Sequence, residues 1–209
     1  MNQQNGEEIQ SLQRLKRLSD GIFMLAMTLM VLQFDLPDVS AEMSSRQIKE
    51  FLIAQLPALY IYLGTFILIA FYWFSNLQQF THYKKTDTVH LWLNLLSLMF
   101  VVIIPYTNDF INIYSLNPYV QIFYSVNLFL VGLFSFLSWW YASRNNRLID
   151  STLEKKESRK IGIESLIDPL VSLFSIVVSL INPSYWEWSF FLICNCSPQQ
   201  KSLIEKHYK

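Results

Sequence analysis

The chain has little cysteine and little charge, and its charge favours neither sign. Two cysteines in 209 residues are far too few for a small secreted scaffold held together by disulfides. Charged residues make up 15% and apolar residues 52%, which excludes a disordered chain. The 16 basic residues equal the 16 acidic residues in number, so the basic excess typical of nucleic-acid binders is missing.

Glycine is also scarce, with five in the chain, and no glycine-bounded runs alternate between apolar and polar residues as strands do. We find no phosphate-binding glycine loop, no HExxH motif and no Ser/His/Asp set, so an enzyme is not expected. Cys194 and Cys196 form a C-x-C pair that matches no strong metal or redox spacing, and neither a metal nor another cofactor is expected. These absences favour an all-α protein.

Long apolar segments are abundant. A bilayer core of about 30 Å needs about 20 helical residues, and four segments reach that length. A fifth segment, residues 21–36, is short, but its apolar stripe continues towards the N-terminus at helical spacing. This predicts one amphipathic helix over residues 8–36. The last is the weakest, with 14 residues interrupted by Glu187. A single domain over residues 1–209 is predicted, with spans at 21–36, 51–75, 89–107, 118–143, 162–181 and 183–196 and a cytoplasmic loop at 144–161.

If the six spans cross a membrane one after another, most basic residues lie on the same side of it. One side receives 14 of them and the other side only Arg46 and Lys49, which obeys the positive-inside rule. Both termini are therefore expected in the cytoplasm, in a multi-pass protein of the cell membrane. No secretory signal peptide is expected, because the first apolar segment follows a long polar leader. The outer loops are acidic and would concentrate cations.

The first helix carries the most informative residues. Arg14 and Asp20 lie at the cytoplasmic edge of an otherwise apolar helix, where interfacial snorkelling is the ordinary interpretation. Further along, Leu25, Thr28, Leu29 and Leu32 follow the spacing i, i+3, i+4 and i+7 and share one stripe, which Leu36 continues. Such a stripe is usually packing.

These residues resemble a known family. The run Arg14-x-x-x-Leu18-Ser19-Asp20-Gly21 is similar to Arg-x-x-x-Phe-Ser-Asp-Gly, the signature of the transmembrane protein 175 family of endo-lysosomal potassium channels and their prokaryotic relatives. Residues 73–87, 92–96 and 104–106 resemble the family's second and third helices. Asn76 stands where the family usually has a histidine, and an amide cannot titrate.

The resemblance implies a prokaryotic single-repeat member with six helices per subunit. It implies a homotetramer in the lipid bilayer whose first helix lines a pore for potassium, the permeant monovalent cation. The constriction then falls on Leu25, Thr28, Leu29 and Leu32, where an apolar ring gates by dewetting. The motif residues Arg14, Leu18, Ser19, Asp20 and Gly21, with Asn76 and Asn94, are expected to anchor the first helix rather than to bind ions.

Two alternatives stay open at this point. One is a proton-conducting member of the same family, which Asn76 in place of histidine makes less favoured. The other is a non-conducting membrane scaffold that uses the basic cytoplasmic loops. Two local expectations complete the sequence interpretation. Asp168 and Pro169 are expected to cap the start of the fifth helix, and His82 and His90 are expected to be exposed.

Overall fold

The structure is a computed structural model that describes residues 2–34 and 43–190. Within this part of the chain all regular structure is helical apart from one isolated bridge between Tyr83 and Ile149, so the all-α prediction is confirmed there. The α-helices of ten or more residues in this part of the chain are α1 (Asn2–Leu29), α2 (Ser45–Ala54), α3 (Leu56–His82), α4 (Thr88–Ile113), α5 (Pro118–Ser143) and α6 (Lys155–Ile181). Short 3-10 turns follow at Met30–Gln33, Arg144–Asn146 and Pro183–Tyr185.

Four helical segments are long and apolar enough to cross a membrane: Ser45–His82, Thr88–Ile113, Pro118–Asn146 and Lys155–Ile181. Helix α1 is not among them, because its apolar part is short and its first half is polar. The weak sixth segment is helical over residues 186–190. Residues 191–196 of that segment lie outside the described residues, as do the C-x-C pair, Leu36 and the three C-terminal lysines.

Side chains at the helix starts explain where the helices begin. The Asp87 carboxylate accepts a hydrogen bond from the backbone N–H of His90 (2.9 Å) at the start of α4. At α5, Asn117 accepts from the N–H of Tyr119 (3.0 Å), and Pro118 occupies the first turn, where its missing N–H costs nothing. Helix α5 accordingly has the bounds 118–143 that the sequence predicts.

Helix α6 differs from its predicted extent. It begins at Lys155 rather than at residue 162, so the second half of the predicted loop is helical. Charged residues of a solvated first turn carry no apolar signal, although pairs such as Lys160–Glu164 (3.7 Å) stabilise the helix there. The capping role expected for Asp168 and Pro169 is therefore wrong, because both lie in the middle of this helix.

The loops at residues 83–87 and 144–154 pair with each other and form what we call the basic end of the bundle. The Lys84 N–H donates to the Leu148 carbonyl (2.9 Å) and the Asp150 N–H donates to the His82 carbonyl (3.1 Å). His90 is fully buried against Tyr83 (4.4 Å between ring centroids) and Thr86 (2.8 Å), so its expected exposure is wrong. The basic end includes six basic residues: Lys84, Lys85, Arg144 and Arg147 lie in the two loops, and Lys155 and Lys156 begin α6 directly after them.

The core lies between the long helices. Helix α5 packs along both α4 and α6, and α1 packs against α4 and α3. Met30, Ile69, Ile104 and Leu128 are fully buried and come from four different helical elements. This packing covers one side of α1 and leaves its other side exposed.

Candidate functional site

Helix α1 has one covered face and one open face. Leu15, Ser19, Phe23, Ala26 and Met30 recur at spacings of three and four and are at most 3% exposed. They are the face that packs on α3 and α4. Their regular spacing fixes the rotation of α1 on the bundle, and with it the residues that point away.

The open face carries the predicted stripe and much of the motif. Leu18 is 46% exposed, Leu25 50% and Leu32 77%, and Arg14, Gly21 and Thr28 are exposed as well. Leu29 is partly buried and lies at the edge of this face. Met24 and Val31 are exposed beside it at 66% and 53%. Leu25, Thr28 and Leu32 are therefore available to a second molecule or to a pore, whereas Leu29 is less so.

Thr28 is the only hydroxyl residue on the open face over residues 14–32. Its Oγ1 donates to the carbonyl of Leu25 at 2.9 Å, the usual local bond of a helical threonine. Because the proton is used in that bond, the oxygen presents its lone pairs to whatever lies in front of the face.

Ser19 and Asp20 tie α1 to α3. The Ser19 hydroxyl donates to Asn76 Oδ1 at 2.7 Å, in a bond that is buried. The Asp20 carboxylate accepts from Trp73 Nε1 at 3.1 Å. The structure thus brings Ser19, Asp20 and Asn76 together, and Trp73 is a partner that the sequence interpretation did not assign. Two bonds one turn apart on α3 resist both sliding and rotation of α1.

Arg14 and Asn94 stand outside this network. Arg14 is exposed and makes no ion pair with Asp20 in the described part of one chain. Asn94 Nδ2 donates to the His90 carbonyl (2.8 Å) and to Ser138 Oγ (2.7 Å), and so joins α4 to α5. The hydrogen bonds of Asn94 are those of a residue that holds two helices together in an apolar medium.

Polar bonds also hold the end of α1 that is remote from the basic end. Gln33 Nε2 donates to the Pro105 carbonyl (2.5 Å), and its Oε1 accepts from Asn108 Nδ2 (2.8 Å). Leu29, Leu32 and Gln33 line an open cleft of about 350 Å³ together with Pro105, Tyr106 and Asp109. The sequence interpretation missed Gln33 and Asn108, because nothing local to either residue indicates the other.

Electrostatics differ between the two ends of α1. At the basic end, Lys85 pairs with Glu8 of α1 (3.6 Å), Lys84 with Asp150 (2.9 Å), and Arg147 with Asp87 (3.3 Å). Partial burial raises the pKa of the Asp87 carboxyl, but hydrogen bonds from the His90 N–H and the Tyr141 hydroxyl, with the charge of Arg147, outweigh it and lower the pKa. At the other end Asp109 lies in the cleft beside Leu32.

Comparison with known sequences shows which proteins this chain is similar to. Residues 14–105, which contain the motif, the α3 partners and most of α4, match the model described as the endosomal/lysosomal potassium channel TMEM175. This part of the chain is similar to the TMEM175 family. A protein of Streptomyces collinus named a potassium channel is 26% identical over 161 residues, which cover 75% of this chain and 77% of that protein.

Two further relatives of the TMEM175 family bear on size and fold. The human protein named an endosomal/lysosomal proton channel, TMEM175, is 25% identical over 75% of this chain, but the match spans only 31% of the human protein. The crystal structure of a TMEM175 homologue from Chamaesiphon minutus, described as a lysosomal potassium-selective channel, superposes with a TM-score of 0.77 at 19% identity. It covers 91% of this chain and 98% of that one, so the fold is that of a TMEM175 homologue over nearly its whole length.

Proposed function

We propose that the protein is a potassium-preferring cation channel of the cell membrane. In this proposal four copies surround a central pore lined by α1, and both termini lie in the cytoplasm with the basic end. The observation that carries the proposal is the open face of α1, where Leu25, Thr28 and Leu32 are exposed in a helix with too short an apolar part to span a bilayer alone. The names of the bacterial relatives support potassium as the ion.

The constriction follows from the chemistry of the open face. Leucine side chains cannot coordinate an ion, so a ring of them from several subunits excludes water when narrow and conducts only when it widens or hydrates. In the proposal Leu25, Leu29 and Leu32 form such rings, and the Thr28 oxygens provide the polar contact between them. The bonds of Ser19 to Asn76 and of Asp20 to Trp73 keep this face turned towards the axis.

Ion flux into proteoliposomes tests the proposal. We expect the full chain to pass potassium faster than sodium, and to pass few protons under a pH gradient when potassium is absent. Flux of protons alone would replace the proposal by a proton channel, as the human relative is named, and no flux of either ion would leave a scaffold.

The constriction is tested in the same vesicles. Leu25→Ala and Leu29→Ala, alone and together, are expected to raise the potassium flux several-fold. Each substitution removes the side-chain carbons beyond Cβ from every subunit and so widens the ring. Ile67→Ala, an equally exposed apolar residue on α3, is the matched control and should leave the flux unchanged. If both leucine variants behave like Ile67→Ala, the leucine stripe serves only packing.

A further inference from the structure

The chain leaves the α-helical conformation directly after α1. After Leu29 the chain tightens into the 3-10 turn Met30–Gln33, and Phe34 is extended. Three residues of α-helix turn through about 300°, whereas three residues of 3-10 helix turn through about 360°. Leu32 therefore stands almost in line with Leu29, about 60° further round than continued α-helix would place it. The side chain most exposed on the open face thus owes its direction to this turn.

Gln33 is the last residue of the turn, and both ends of its amide are held by α4. Its Nε2 donates to the carbonyl of Pro105 and its Oε1 accepts from Asn108 Nδ2. Asn108 is 1% exposed, so its end of this bond is shielded from competing water. Phe34 adds an edge-to-face ring contact with Tyr62 of α3 (5.3 Å between centroids) directly after the turn.

The Asn108 amide is also bonded on the side away from Gln33. Thr65 Oγ1 lies 2.5 Å from Asn108 Oδ1 and 3.0 Å from the Tyr124 hydroxyl. A threonine hydroxyl has one proton, which goes to the asparagine oxygen, so the tyrosine hydroxyl must donate to Thr65. The bonds then run in one direction from Tyr124 through Thr65 and Asn108 to Gln33 and end on the Pro105 carbonyl. The Pro105 carbonyl fixes this direction, because it can only accept: Gln33 turns its NH₂ group to Pro105 and its oxygen to the NH₂ group of Asn108.

We propose that Gln33 and Asn108 are positioning residues that hold the outer end of α1 in its 3-10 turn and so set the direction of Leu32 at the outer mouth of the pore. This inference rests on the proposed channel function, in which Leu32 belongs to the constriction. It assigns ion preference partly to two amides that no ion touches, and it links α3, α4 and α5 to the pore through a single chain of hydrogen bonds.

The variant Gln33→Met tests the proposal, because methionine has nearly the same length and makes neither bond. We expect the ratio of potassium to sodium permeability to fall at least about threefold, and the rate at which a membrane-impermeant thiol reagent modifies Leu32→Cys to change at least about tenfold. The rate at Leu25→Cys, in the α-helical part, should not change. Cys194 and Cys196 are first replaced by serine so that the introduced thiol reports alone.

Gln121→Met is the matched control. Gln121 is also a buried glutamine near this end, where it donates to two backbone carbonyls and accepts from Ser179, but it lies on α5 and has no bond to α1. It should leave both the permeability ratio and the thiol rates unchanged. Gln33→Glu keeps the acceptor for Asn108 but turns an oxygen to the Pro105 carbonyl in place of the donor, so it should not restore the thiol rate at position 32 to that of the parent.

Two outcomes overturn the proposal. One is a Gln33→Met protein that assembles like the parent and keeps both its permeability ratio and its thiol rate. The other is a Gln121→Met protein that shifts both quantities equally, since the effect would then belong to general packing. The rate of thiol modification is measured without ion flux. A parent protein that passes no ions would therefore contradict the channel function, while the thiol rates would still decide whether Gln33 positions Leu32.

Discussion

At the scale of single residues, Thr28 is the position where ion preference is most open to test. Its proton is bonded to the Leu25 carbonyl, so its oxygen can accept from water or contact a cation. Thr28→Val keeps the shape and removes the oxygen. We expect the potassium-to-sodium preference, measured as a reversal potential under bi-ionic conditions, to fall about two- to tenfold, the equivalent of about 0.5–1.5 kcal/mol for one polar contact.

Thr28→Ser is the control for this change, since it keeps the oxygen and the local bond. An unchanged reversal potential in Thr28→Val would remove the threonine from the selectivity mechanism. Thr28 is also a residue that sequence reasoning can find, because the spacing 25, 28, 29 and 32 defines a stripe. The same spacing cannot show that Leu29 is partly buried, which depends on how α3 and α4 pack around it.

At the scale of helices, the contact between α5 and α6 depends on Gly132. A Cβ added there would lie 2.8 Å from Pro169 Cδ and 2.9 Å from Pro169 N, and neither the ring nor the backbone can move aside easily. We expect Gly132→Ala to destabilise the protein by about 1–3 kcal/mol through overpacking. The measurement is the apparent melting temperature in detergent, together with the yield of folded protein.

Gly64→Ala gives the matched comparison for Gly132→Ala. Gly64 lies in α3, and nothing stands within 4 Å of an added Cβ, so alanine there should be neutral or slightly stabilising. Equal melting temperatures for the two variants would show that α5 and α6 do not pack as closely as described. A loss confined to Gly132→Ala would support the close approach of the two helices at Pro169.

The helices show how far local sequence patterns reach. The bounds of α5 follow from Asn117 and Pro118 at its start, which are local signals. The start of α6 could not be found from hydropathy, because its first turn is charged and solvated. The burial of His90 was also out of reach, since it depends on how the turn before α4 places Tyr83 and Thr86 against the imidazole ring.

At the scale of the whole molecule, the clustering of basic residues was more predictable than individual contacts. The separation of basic residues is a property of composition along the chain, and the structure brings six of those predicted for one side to the basic end. The Ser19–Asn76 bond could be anticipated from the family motif. The bond between Gln33 and Asn108 joins residues 75 positions apart, and no periodicity or charge pattern in either helix encodes it.

Assembly is the property of the whole molecule that Arg14 can test. Asp20 is bonded to Trp73 within the chain, while Arg14 is exposed on the open face and pairs with no residue in the described part of its own chain. If four copies meet along this face, the Arg14 side chains come close to neighbouring subunits, where a carboxylate such as Asp20 can receive them. Removing one partner of a partly buried pair between subunits is costly.

Native mass spectrometry of the detergent-solubilised protein should therefore find tetramers for the parent and mostly smaller species for Arg14→Ala. Lys16→Ala removes an equally exposed basic residue from another side of α1 and should leave the tetramer intact. A tetramer that survives Arg14→Ala as well would place that arginine at the lipid interface, with no part in holding the subunits together.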